Sequence, residues 1–97
     1  MAKSVHDEIA KRIAKKLGAE YKSDKGIDIV TKDRAIEVEV RKGTIDDGIK
    51  QVARSQKARY LAVNKSNIRN AVEKTDGTGI GVMGPTGTII KKASRKS

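Results

Sequence analysis

The chain contains no cysteine, no tryptophan and no phenylalanine, with a single proline and a single histidine. Without cysteine there can be no disulfide, no thiol nucleophile and no cysteine-ligated zinc. The only aromatic residues are Tyr21 and Tyr60, too few for the stacking platforms on which single-strand and RNA-recognition surfaces depend. No apolar run approaches the ~20 residues needed to span a bilayer, and the N-terminus has no apolar core followed by a cleavage site. These absences point to a cytoplasmic protein with no membrane partner. Acidic residues are scarce too: 12 Asp and Glu stand against 22 Lys and Arg, a formal net charge of +10 over 97 residues.

A chain of this length makes one domain that buries roughly two-thirds of its unfolded surface. With so few aromatics, Ile, Val, Leu and Ala must fill the interior. A pI near 10.0 suits a polyanionic partner, nucleic acid first; a solvated basic surface or an acidic membrane surface is the alternative reading.

Periodicity supplies the element order. Val5, Ile9, Ile13 and Leu17 recur every four residues and predict a first helix from Ser4 to Leu17. Ser4 with Asp7 resembles a capping pair, and Gly18 is placed to end the helix. Residues 27–30 and 35–41 read as strands joined by a polar turn at 31–34, with a further strand at 20–23 as an option. Gly43 breaks the pattern, and Thr44 or Asp46 can cap a second helix to about Ser55 that buries Ile45, Ile49 and Val52.

The apolar run at 58–63 suits a strand covered on both faces. A short helix from Asn67 to about Lys74 and a hairpin from Gly79 onward follow. The expected organisation is a single α/β domain over 1–92 and a basic C-terminal tail over 93–97. The helix between the strands at 35–41 and 58–63 implies a crossover and a parallel pair, hence a central mixed β-sheet flanked by helices. The glycines at 77, 79, 81, 84 and 87 are turn chemistry. They lack the strand-loop-helix context and the Gly-Lys-Ser/Thr of a phosphate-binding loop, so no small-molecule nucleotide cofactor is expected.

On this basic background three carboxylates need a reason: Asp28 in Gly-Ile-Asp-Ile-Val, and Glu37 and Glu39 in Ile-Glu-Val-Glu-Val. Strand alternation puts Ile36, Val38 and Val40 on one face and Glu37, Glu39 and Arg41 on the other, roughly 6–7 Å apart along the strand. Like charges so close repel unless a cation lies between them. A divalent-metal site satisfies that condition, and so does pairing with nearby Lys or Arg on a solvated sheet face.

A helix with an acid near its start, then Asp, then Glu-x-Glu on the next strand, then a crossover helix carrying Gln resembles the PD-(D/E)-x-K nuclease superfamily. Within it the pattern is similar to small archaeal-type Holliday junction resolvases, over roughly residues 5–65. The resemblance implies a restriction-endonuclease-like fold, with Asp28 and Glu37 holding Mg²⁺ (or Mn²⁺) against a scissile phosphate. Glu39 stands where the family usually has Lys; it could add a metal ligand, act as a general base through water, or mark a protein that kept the fold and lost the chemistry. Arg41, on the same strand face, could replace the missing positive charge.

Glu8 on the first helix and Gln51 on the crossover helix match the family's supporting residues, while an N-terminal-turn acid favoured by the helix dipole explains Glu8 equally. His6, with no second histidine to share a metal, reads as a packing residue. Arg41, Lys42, Lys50 and Arg54 are the candidate nucleic-acid-binding positions. Arg59 and Lys65 add generic positive charge. The function implied is metal-dependent endonucleolytic hydrolysis of DNA, branched DNA included, by a homodimer. The alternatives are an inactive nucleic-acid-binding protein with the same fold, or a small basic accessory protein.

Overall fold

A computed structural model describes residues 4–22 and 26–94. The elements run α1 (Val5–Leu17), β1 (Ile29–Val30), β2 (Arg34–Glu39), α2 (Ile45–Ala53), β3 (Ala58–Val63), α3 (Ile68–Thr75), β4 (Gly81–Met83) and β5 (Ile89–Lys91). Single 3₁₀ turns at Lys42–Thr44 and Lys65–Asn67 lead into α2 and α3. The five strands form one sheet in the order β1-β2-β3-β4-β5. The outer pairs are antiparallel and the two inner pairs parallel, so the expected mixed sheet and crossover are present. No described helix is long and apolar enough to cross a membrane.

Helices cover both faces. On one, Ile9, Ala10, Ile13 and Ala14 of α1 pack against Ile36, Val38, Tyr60, Ala62 and Met83. On the other, Ile45, Val52 and Ala71 of α2 and α3 pack with Ala35, Leu61, Val63, Ile80 and Val82. Each fully buried Ile, Leu or Val contributes ~1.5–3 kcal/mol, which is how a core without Phe or Trp is assembled. Tyr60 lies inside this core, and the Arg34 guanidinium sits over its ring at 5.5 Å.

Helix α1 begins and ends as expected. The Ser4 hydroxyl accepts from the Asp7 N–H, and Gly18 takes a left-handed conformation with φ of 66° at the C-cap. Its buried face is not the four-residue stripe, however. Val5 is exposed, and the buried face is Ile9, Ala10, Ile13 and Ala14, with His6 half-buried at its start. A four-residue step overshoots one helical turn by roughly 40°, so a stripe spaced in fours drifts off the face within three steps.

Other boundaries move by one or two residues. Strand β2 ends at Glu39, short of residue 41, and α2 ends at Ala53, short of Ser55. Thr44 holds the cap position of α2, but its hydroxyl donates back to the Arg41 carbonyl at 3.1 Å. Ile49 is half-buried, and Gly48 occupies the buried face beside Ile45 and Val52. The optional strand at 20–23 reduces to a single bridge between Tyr21 and Ile29, with residue 23 outside the described residues. Ala93 packs on the core and the Ser94 N–H donates to the Gly79 carbonyl at 2.9 Å, so pairing continues past residue 92. Residues 95–97 lie outside the described residues.

Candidate metal centre

The turn between β1 and β2 sets the position of the two leading carboxylates. Thr31 closes it: its hydroxyl accepts from the Asp33 and Arg34 N–H groups at 3.2 and 2.9 Å, and its own N–H donates to the Arg34 carbonyl at 2.8 Å. That closure fixes the register Val30 with Ala35 and Ile29 with Ile36. One step further along the same ladder, Asp28 faces Glu37. The two are then tied by side chain and backbone. The Asp28 N–H donates to Glu37 Oε1 at 3.1 Å, and the Val38 N–H donates to Asp28 Oδ2 at 2.9 Å. Asp28 is buried and Glu37 half-buried.

Glu39, two residues along β2, is placed by α2. Gly48 stands so close that a Cβ there would lie 2.5 Å from Glu39 Cγ and 2.9 Å from Glu39 Oε2. A glycine inside a helix costs ~1 kcal/mol relative to alanine; here it makes room for a carboxylate. Thr44 and Glu37 are the nearest polar neighbours acting on the Glu39 carboxyl.

The electrostatics follow from this crowding. Burial, then the neighbouring Asp28 and Glu39 charges, push the Glu37 carboxyl up to about 8. Burial also raises Asp28, opposed by the Val38 N–H and His6, and raises Glu39, opposed by the Thr44 hydrogen bond. Three carboxyls that resist ionising together favour a positive charge among them.

Sequence reasoning missed three neighbours of these acids. His6 Nε2 lies 3.2 Å from Asp28 Oδ2. On the other side of the ring, His6 Nδ1 is 3.1 Å from the Tyr21 hydroxyl, which donates to Asp7 Oδ1 at 2.6 Å. The Tyr21 hydrogen bond holds Asp7 below the usual carboxylate range, while burial and the same bond raise the Tyr21 hydroxyl. The available signal was helical phase, since His6 lies three, four and seven residues before Ile9, Ala10 and Ile13.

The structure does not bring Glu8 to the carboxylates: it is exposed, roughly 200° further around α1 than His6. Gln51 lines a groove with Gly26, Ile27 and Val30, beside the Asp28 segment, and its amide oxygen accepts from Arg54. Arg41 follows the end of β2 and, with Ser4, His6, Glu39, Thr44 and Asn64, borders a cleft of about 500 Å³. Lys42, Lys50 and Arg54 are exposed. Arg59 is spent on structure, donating to the Ala53 and Thr78 carbonyls at 3.4 and 3.2 Å.

No group of three or more His, Asp or Glu side chains among the described residues forms a ready metal cage. What the fold provides is two pairs sharing one carboxylate, Asp28 with Glu37 and Asp28 with His6. This donor set fits Mg²⁺ or Mn²⁺, which need only one or two protein carboxylates and take waters and phosphate oxygens for the rest. Compared with known proteins, the chain matches no family model, no curated protein and no solved structure.

Proposed function

We propose that this protein is a metal-dependent endonuclease that hydrolyses DNA phosphodiester bonds, branched junctions included, on a restriction-endonuclease-like fold. The observation that carries this reading is the pairing of Asp28 with Glu37, in which the Asp28 N–H donates to Glu37 Oε1 at 3.1 Å while the Val38 N–H donates to Asp28 Oδ2 at 2.9 Å. The succession of helix, antiparallel pair, crossover helix and parallel strand supports the same reading.

Asp28 and Glu37 would hold Mg²⁺ or Mn²⁺. When bound, such an ion supplies Lewis-acid stabilisation of a phosphoryl oxygen and an acidified water. Glu39, beside Thr44 and with burial raising its carboxyl, accepts a proton from water at the cleft. Arg41 at the rim stands ready for the substrate backbone, with Lys42, Lys50 and Arg54 adding unspecific phosphate attraction. A homodimer would match two symmetric cuts at a four-way junction.

Cleavage of linear, flapped and four-way DNA with Mg²⁺ or Mn²⁺ tests the reading. Wild type cuts and Asp28→Ala binds without cutting; wild-type binding without any cleavage overturns it. That second outcome is the inactive nucleic-acid-binding reading, and Glu39 in the position usually held by Lys favours it.

A further inference from the structure

The hydrogen bonds around His6 fix which ring nitrogen carries the proton in the neutral imidazole. The Tyr21 hydroxyl has a single proton, and it is given to Asp7 Oδ1 at 2.6 Å. The 3.1 Å contact between that hydroxyl and His6 Nδ1 therefore has His6 as donor. The neutral tautomer with its proton on Nδ1 turns an unprotonated Nε2 toward Asp28. There it meets Oδ2 at 3.2 Å, an oxygen that already accepts from Val38. In that tautomer two acceptors face each other, and either a proton on Nε2 or a metal ion between them makes the contact favourable. Metal-binding histidines are prepared in this way, their second ring nitrogen donating to an outer partner that fixes tautomer and orientation.

We infer that His6 is a metal ligand through Nε2, sharing one ion with Asp28, and that it biases the site toward first-row transition ions, Mn²⁺ in place of Mg²⁺. This rests on the metal-dependent reading above. Adjacent donors on an octahedral ion with bonds of ~2.1 Å stand ~3.0 Å apart, close to the observed His6–Asp28 separation of 3.2 Å. An imidazole added to carboxylates raises affinity for transition ions, whereas Mg²⁺ prefers an all-oxygen shell. Tyr21 and Asp7 are positioning residues, acting through the ring.

His6 is the chain's only histidine, so pulsed EPR of Mn²⁺ bound to tag-free protein reads it directly. Wild type shows imidazole ¹⁴N coupling to Mn²⁺. His6→Gln abolishes the coupling and weakens Mn²⁺ by ~10-fold or more, the range typical of lost ligand support, while Mg²⁺ affinity changes far less. Tyr21→Phe keeps the ring and the histidine and weakens Mn²⁺ selectively by a smaller factor. The wild-type spectrum needs no variant, so it decides the matter even if a substitution fails to fold. Mn²⁺ binding that is lost in Asp28→Asn yet shows no nitrogen coupling in wild type overturns the role of His6 and leaves the metal site standing. An imidazolium paired with Asp28 gives that result. Mn²⁺ binding absent from wild type, or indifferent to Asp28→Asn, removes the metal reading itself and this inference with it.

Discussion

Gly48 of α2 and Glu39 of β2 are fitted to each other: a methyl group on Gly48 would overlap Glu39 Cγ at 2.5 Å and Leu61 Cδ1 at 2.9 Å. Alanine should help an exposed helix position by ~1 kcal/mol, but overpacking a closed contact costs ~1–3 kcal/mol. Gly48→Ala is therefore expected to destabilise the protein by a net ~1 kcal/mol and to displace Glu39 from the cleft. In a double-mutant cycle with Glu39→Ala, thermal melts should show a favourable coupling, because removing Glu39 relieves most of the clash. Strict additivity would mean that Gly48 does not position Glu39.

Asp28 has two separable duties, as acceptor for the Val38 N–H and as a negative charge. Asp28→Asn keeps an acceptor oxygen and removes a charge that burial disfavours, so its melting temperature should equal or exceed that of wild type. Asp28→Ala leaves a buried N–H unpaired and should cost ~1–3 kcal/mol. Both variants should lose divalent-ion binding and cleavage. Calorimetry on the two side by side separates the duties, and equal destabilisation by Asn and Ala would contradict the geometry described.

How much of this was legible in the sequence depends on the kind of signal. Alternation along residues 35–39 placed Ile36 and Val38 in one layer and Glu37 and Glu39 in the other, because a strand has an integral period of two. Asp28 and Glu37 were recognisable as a pair once a short turn was assumed between their strands. The helical phase was less clear. A stripe counted in fours puts Val5 in the core and His6 beside it as a packing residue; Val5 is exposed, and His6 is half-buried against Asp28. Glu8 enters through the family resemblance and not through helical phase, and His6 is set aside as a lone histidine, which is no guide to its neighbours in space. The roles of Tyr21 and Gly48 depend on contacts between elements, Tyr21 reaching α1 and Gly48 approaching β2. Neither contact leaves a periodic trace in the chain.

Binding to duplex or junction DNA should weaken steeply with salt, with a log–log slope of about −0.9 for each phosphate neutralised. Replacing exposed Lys50 by Gln should make that slope shallower by ~1 if its ammonium meets a phosphate. Fluorescence anisotropy over a salt series measures both. A flat salt dependence in wild type would favour the accessory-protein reading.

Glu37 gives the strongest pH dependence, and its sign is fixed by the direction of its shift. Its ordinary value is 4.5 and burial with the Asp28 charge raises it to about 8 in the folded chain. Between those values the folded state holds more protons than the unfolded state, so stability is fully present below about pH 4.5 and is lost as pH rises through about 8. With solvent screening at a half-buried carboxyl, the loss should be on the order of 1–3 kcal/mol. The raised Asp28 and Glu39 carboxyls act in the same direction. Glu37→Gln should flatten the metal-free profile. Because protons compete with a cation for these groups, Mn²⁺ should raise the melting temperature more at about pH 9 than at about pH 5. At about a hundred times Kd the gain corresponds to ~2.7 kcal/mol, enough to reverse the metal-free trend. Differential scanning fluorimetry at both pH values, with and without Mn²⁺, provides the check. A metal-induced shift of equal size at both would show that the ion binds away from Glu37.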